Sequence, residues 1–315
     1  MEFAIIAPAS VPGLMTPTSG PPWDRGYLSP TLKPHREHAA SGGAFSFAPP
    51  QKARVEPQQS LRNRCPVRVD QASTLPTTGE AMKLLILSDI HANWPALEAV
   101  LLAEPDFDAV AFCGDAVAYG PHPAECVRWL AGHADHAVRG NHDNALAQGA
   151  DCRCLESSRA CALATHAWHR ELLTDSDRAF LHGLLTLDFF EWEGWHFRVA
   201  HATPHGDLYE YLPARHWGDR VRGLDADFVL LGHTHVQGML TFGGTTVVNP
   251  GSVGLARDRR GEACYATFEK GAVRLKRIPY EVERTVAALR HSPLPGSVIE
   301  GLARMLAGPE LANLR

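Results

Sequence analysis

Five short apolar runs in this chain stop abruptly at metal-ligand-type residues, and that pattern leaves few folds open. KLLILS (83–88) ends at Asp89-Ile90-His91, and DAVAF (108–112) stops at Gly114-Asp115. DHAV (135–138) leads into Gly140-Asn141-His142-Asp143. HFRVA (196–200) gives His201, and DFVLL (227–231) gives Gly232-His233-Thr234-His235. A short, almost continuously apolar run is the mark of a strand buried on both faces. Between the first three runs lie helical stretches. WPALEAVLLAE follows Asn93 with Pro95 in its first turn, and PAECVRWLA follows the second cluster. Strand, loop and helix repeated in this way predict an α/β layered domain.

The remainder reads as a helical middle over about 155–182, then a β-rich half with LTLDFF, VQGML, TTVVN, CYATFE and AVRLKRI. Gly243-Gly244 predicts a hairpin turn. EVERTVAALR and SVIEGLARMLA read as two helices separated by a proline-containing break, giving a helical tail over 281–315 packed on a domain spanning 82–280. Residues 1–81 hold Pro-, Gly- and Ser-rich stretches such as PTSGPPWDRG and show no sustained period. We expect a disordered extension there, or a protein whose translation begins at Met82.

A net charge of -5 offers no basic surface for long nucleic acid. It leaves small anionic substrates open, because bound cations invert a local field. No stretch is long and apolar enough for a membrane span. The start lacks the basic region of a signal peptide, so a cytoplasmic location is expected. Of 7 cysteines, Cys152, Cys154 and Cys161 form a loose cluster whose spacing matches no zinc pattern, and ordinary thiols are expected.

Each ligand cluster is weak alone. In Asp89-Ile90-His91, alternate residues leaving a strand point the same way, so a carboxylate and an imidazole can approach one ion. Asp115 repeats that position after the next strand, although most Gly-Asp pairs are turns. Asn141 is a neutral oxygen donor, His142 is placed to reach a substrate oxygen, and Asp143 either orients His142 or caps the next helix. His201 alone reads as structural, and His205 in the same loop is a candidate substrate contact. His233 and His235 form the strongest single signal, two imidazoles projecting together. Five such clusters after five predicted strands argue for a metal centre.

The stretches KLLILSDIHANWPALEAVL, GDAVAYGPHPAECV, VRGNHD, GHTHVQG and NPGSVGLARD, in this order, resemble the calcineurin-like metallophosphoesterase superfamily. Within it they are similar to a branch of small bacterial YfcE-like phosphodiesterases, over about residues 82–280. The resemblance implies a four-layer α/β/β/α sandwich of two mixed sheets with flanking helices. It implies that Asp89, His91 and His235 hold one divalent ion, that Asn141, His201 and His233 hold another, and that Asp115 bridges them. Such mixed nitrogen and oxygen shells suit Mn²⁺ first, with Fe, Zn or Ni as alternatives. A hydroxide bridging the metals would attack phosphorus, and His142 would serve the leaving oxygen.

One departure bears on substrate. Protein phosphatases and dinucleoside tetraphosphatases carry Asp-Arg after the second cluster, whereas this chain reads GDAVAYG, with Tyr119 and His122 nearby. Arg257 is the candidate replacement for gripping phosphate. The expected activity is therefore hydrolysis of a small phosphodiester, possibly of nucleotide or cyclic-nucleotide type. Phosphomonoesterase or protein phosphatase activity and a non-catalytic metal-binding scaffold stand as alternatives. The helices at 155–182 and at the C-terminus read as core, with a lid or a homo-oligomer contact as the other possibility.

Overall fold

The computed structural model describes residues 82–311. The reading of residues 1–81 therefore lies outside the described residues, as do the last positions of the tail.

The first sheet is built from β1 (Leu84–Leu87), β2 (Ala109–Phe112) and β3 (His136–Ala137), which are parallel, and from β9 (Glu262–Glu269) and β10 (Ala272–Pro279), which add antiparallel on the other side of β1. The second sheet runs in the order β4 (Leu187–Trp192), β5 (Trp195–Ala200), β6 (Phe228–Leu230), β8 (Thr245–Asn249), β7 (Gly238–Phe242). Here β5, β6 and β8 are parallel, and the two edges are antiparallel hairpins. Gly243 and Gly244 close the β7–β8 hairpin with φ of 58° and 98°, backbone that glycine adopts without a Cβ penalty.

Strand alternation sets the layers. Leu85 and Leu87 point to one face of the first sheet. There they meet Leu97 and Val100 of α1 (Trp94–Ala103) and Val127 and Leu130 of α2 (Pro123–His133). Leu84 and Ile86 point to the opposite face and pack against Phe197, Val199, Phe228 and Leu230 of the second sheet. The far face of that sheet, carrying Val229 and Val247, is covered by Trp217 and Val221 of α6 (Trp217–Val221). Helix, sheet, sheet and helix are thus four layers, as expected for two mixed sheets with flanking helices.

The helical middle comprises α3 (Asn141–Gln148), α4 (Glu156–Leu172) and α5 (Asp175–Gly183). α3 begins at Asn141 itself, so the third ligand cluster occupies the first turn of a helix instead of the loop before it. The tail forms α7 (Val282–Arg290) and α8 (Gly296–Leu311). Leu289, Leu302 and Leu306 pack with Cys161 and Ala162 of α4 and with Tyr119. These helices back the loop that carries Tyr119, which makes them core by burial.

Candidate metal centre

All five clusters lie just beyond the carboxyl ends of strands, the edge where parallel α/β sheets place their sites. Getting side chains to converge there requires unusual backbone. Asp89, His91, Asp115, His233 and His235 all have positive φ, between 49° and 65°. Non-glycine residues adopt that region at a cost of about 1–3 kcal/mol each, and such strain gathers at functional sites. The glycines have a different task. A Cβ on Gly140 would collide with Asp115 Oδ1, and one on Gly232 would sit 2.7 Å from Asp89 Oδ2. Both positions let neighbouring carboxylates close in.

Two groups of donors result. Asp89, His91 and His235 form one, with their donor atoms within 4.8 Å of one another, and Asp115, His201 and His233 form the second on the same criterion. In the first, Asp89 Oδ1 is buried without a hydrogen-bond partner, 3.2 Å from His235 Nε2 and 3.8 Å from His91 Nε2. The His91 and His235 Nε2 atoms face each other at 3.0 Å. An orphaned carboxylate oxygen beside two convergent imidazoles is the donor chemistry of a divalent ion. In the second, Asn141 Oδ1 lies 3.1 Å from His201 Nε2 and 3.1 Å from His233 Nδ1. Asp115 Oδ2 stands between the groups, 3.3 Å from His201 Nε2 and 3.9 Å from His91 Nε2.

The supporting hydrogen bonds choose which atom each ligand offers. His91 Nδ1 donates to Val117 O at 2.9 Å, His201 Nδ1 to Cys113 O at 2.8 Å and His235 Nδ1 to Leu255 O at 2.7 Å. That leaves the Nε2 lone pair of each ring aimed inward, as a metal-binding histidine requires. Asn141 Nδ2 donates to Cys152 O at 2.8 Å and so turns its oxygen toward the histidines. Asp89 Oδ2 accepts from Ser88 Oγ at 2.6 Å and from the His233 main chain at 3.0 Å.

Charge follows the same logic. Burial pushes the Asp89 and Asp115 carboxyls up, but His235 beside Asp89, and His201 and His142 beside Asp115, outweigh it and hold both below the usual carboxylate range. Burial, reinforced by the neighbouring imidazole of His235 for His91 and of His201 for His233, lowers both rings to about 4. His201 goes the other way, to about 9, because Asp115 more than offsets its burial. Two carboxylates and mostly neutral imidazoles are a donor set ready for cations.

The Asp143 carboxylate accepts from the main-chain nitrogens of Asp115, Ala116, Val117 and Gly140, so it caps α3 and splints the second cluster. His142 lines the cleft above the donors, with Nε2 3.3 Å from the Tyr119 hydroxyl and Nδ1 3.1 Å from His166 Nε2. Arg257 lines the same cleft, its guanidinium carbon 6.0 Å from the Tyr211 ring centre. His205 is exposed at solvent and is not among the cleft-lining side chains. The sequence reading overlooked Arg153, whose guanidinium carbon stacks 4.4 Å over the Tyr209 ring, and also Tyr209, Tyr211 and His166, and it took Cys154, which lines the cleft, for an ordinary thiol. The period-two alternation in LYEYL was the one available signal for the tyrosines. A larger surface depression, about 610 Å³, is lined by Arg215, Gly218 and Phe242 and contains none of these donors.

The family model of the calcineurin-like phosphoesterase superfamily domain matches residues 82–271. The chain is similar to a solved metallophosphoesterase from Sphaerobacter thermophilus, with 31% identity and a TM-score of 0.59 over 71% of this chain and 99% of that one. It is 25% identical over 232 residues to the uncharacterized protein MJ0912 of Methanocaldococcus jannaschii, covering 67% of this chain and 93% of that protein. It is 28% identical over 198 residues to the probable metallophosphoesterase YsnB of Bacillus subtilis, covering 62% and 89% respectively. The chain belongs to the calcineurin-like phosphoesterase superfamily, and with its two donor groups it is a metal-dependent phosphoesterase.

Proposed function

We propose that this protein is a phosphodiesterase of the small YfcE-like kind, hydrolysing small phosphodiesters of nucleotide type at a dinuclear centre, with Mn²⁺ as the working ion. In this reading Asp89, His91 and His235 hold one ion, and Asn141, His201 and His233 hold the other. The observation that carries it is Asp115 Oδ2, within 3.9 Å of a histidine from each group, where a bridging carboxylate belongs. When bound, the ion pair supplies Lewis-acid charge to the phosphoryl oxygens and acidifies water.

The chain's own residues do the rest. In this reading His166 Nε2–H donates to His142 Nδ1; the Tyr119 hydroxyl, which donates to Ser158 Oγ, accepts from His142 Nε2, so that nitrogen carries the ring proton at the cleft. From there it is delivered to the leaving oxygen, which matters most when the leaving group is a poor one. Arg153 and Arg257 bind phosphate oxygens at the rim, and Tyr209 and Tyr211 offer aromatic faces to a base or other planar group. The diester assignment is supported by where the cations sit. The arginines lie over tyrosines at the rim, and GDAVAYG has Ala118 and Tyr119 where the phosphatases have Asp-Arg. A diester, with one negative charge and two organic arms, matches a cleft of aromatic rims better than a dianionic monoester does.

The test is hydrolysis of bis-(p-nitrophenyl) phosphate by metal-stripped protein reconstituted with Mn²⁺, run beside p-nitrophenyl phosphate. Mn²⁺-dependent turnover favouring the diester is expected. Preference for the monoester would make the protein a phosphatase. Silence on both, with metal bound, would make it a binding scaffold.

A further inference from the structure

Behind His142 lies a second convergence of ligand atoms that the dinuclear reading does not use. Donor atoms from His142, Cys152 and His166 all lie within 4.8 Å of one another, and all three residues are buried. His142 stands in the first turn of α3, His166 in the middle of α4, and Cys152 in the connection between those helices. His142 Nδ1 and His166 Nε2 face each other at 3.1 Å, the arrangement seen at 3.0 Å between His91 and His235 in the first donor group. The hydrogen bond made by the Cys152 thiol is to another sulfur, Cys154 Sγ, at 2.7 Å. Two imidazoles and two thiols thus gather behind the cleft, three of the four deeply buried.

We propose that His142 Nδ1, His166 Nε2 and Cys152 Sγ, with Cys154 Sγ as the fourth donor, form a binding site for a thiophilic divalent cation of the Zn²⁺ class. A Cys₂His₂ set is what tetrahedral zinc takes, and thiolate donors discriminate against Mn²⁺ and Mg²⁺. With Zn–S bonds of about 2.3 Å, tetrahedral geometry wants the sulfurs about 3.8 Å apart. The Cys152–Cys154 pair therefore opens by roughly 1 Å from its 2.7 Å separation. The connection between α3 and α4 is where that movement occurs. The ion takes His142 by its rear nitrogen and leaves Nε2 facing Tyr119 and the cleft. Tyr119 and the Cys152 carbonyl, which orients Asn141, border the site, so its occupancy is felt at the cleft wall. None of the four donors belongs to the Asp89 or Asp115 groups, so its occupancy is separable from loading of the dinuclear centre, while His142 is shared with the proposed reaction.

Cobalt separates the two. The dinuclear donors are nitrogen and oxygen only, so a thiolate-to-Co²⁺ charge-transfer band in the near ultraviolet separates thiolate binding from the dinuclear centre, and its loss in a Cys152 variant assigns it to this site. The full chain is stripped of metal, kept reduced with a phosphine and titrated with Co²⁺, with Zn²⁺ counted in parallel by elemental analysis. The band is expected in the unaltered protein. In C152S it should be lost together with one equivalent of Zn²⁺. In D115N it should persist while binding at the dinuclear centre falls. A saturated protein with no thiolate band overturns the proposal, and so does a band unchanged in C152S. If C152S does not fold, C154S, at the less buried of the two thiols, takes its place with the same expected loss of the band.

Discussion

The Asp143 carboxylate holds the main-chain nitrogen of Asp115 at 2.8 Å, across 28 residues of sequence. The same carboxylate takes the nitrogens of Ala116, Val117 and Gly140, so one buried side chain satisfies the donors of two ligand loops. Asp143→Asn puts an NH₂ against some of those N–H groups. Each buried amide left unsatisfied costs about 1–3 kcal/mol. We expect a clear fall in thermal midpoint and about 10–100-fold weaker metal binding, the usual scale for losing a residue that orients ligands. Calorimetric Mn²⁺ titration and a melting curve check this. An Asp143→Asn protein with normal affinity and normal melting would remove Asp143 from the architecture of the site.

The His142 ring meets His91 edge-on, with ring centres 5.3 Å apart, and its main-chain nitrogen donates to Asp115 Oδ1 at 2.8 Å. His142→Ala keeps that bond and removes the ring. The dinuclear pair should still load, while kcat falls by about 10²–10⁴ on an alkyl-leaving-group diester. On a p-nitrophenyl diester, whose leaving anion needs no proton, the loss should be much smaller. Equal losses on both substrates would show that His142 does not serve the leaving oxygen.

Arg153 and Arg257 approach the cleft from different loops, each over a tyrosine. Phosphate held equally in ground and transition states affects KM and leaves kcat alone. Removing either arginine should raise KM about tenfold, the worth of one charge-assisted hydrogen bond. Steady-state kinetics of Arg153→Ala and Arg257→Ala read this directly. A drop in kcat with unchanged KM would place the arginine on the transition state instead.

Most strands were legible because buried strands announce themselves as apolar runs, and Leu84 to Leu87 obey the alternation residue by residue, whereas the strand order in each sheet was not read from the sequence. The ligand clusters were legible for the same reason, since each follows such a run. Other features were not. The positive φ of Asp89 and Asp115 leaves no trace in residue type: Gly114 stands beside Asp115 and not at it, and Asp89 lies between Ser88 and Ile90. Asp143 binds main-chain atoms, and main chain has no sequence signature. His166 sits on a helix that reads as ordinary core, and only the fold of α4 over α3 brings it to His142. The Cys152 and Cys154 spacing meant little without those two histidines.

A last prediction concerns acid stability away from the cleft. Glu104, at the end of α1, is buried and accepts from Tyr265 Oη at 3.1 Å, from Lys83 Nζ at 3.3 Å and from Lys276 Nζ. Burial alone would raise its carboxyl, but Lys276, Tyr265 and Lys83 outweigh that and hold it below the ordinary glutamate range. A carboxylate whose folded pKa is depressed contributes stability that is fully present above its unfolded value, about 4.3. That contribution drains away as pH falls from there through the lower folded value. Glu104→Gln cannot titrate, so it lacks this contribution at neutral pH and has none to lose in acid. Urea unfolding at neutral pH should show the variant less stable than the unaltered protein. Repeated at stepwise lower pH below about 4.3, the gap should narrow. A gap that stays constant down to acid pH would mean that Glu104 acts through packing and neutral hydrogen bonds, with its charge contributing nothing.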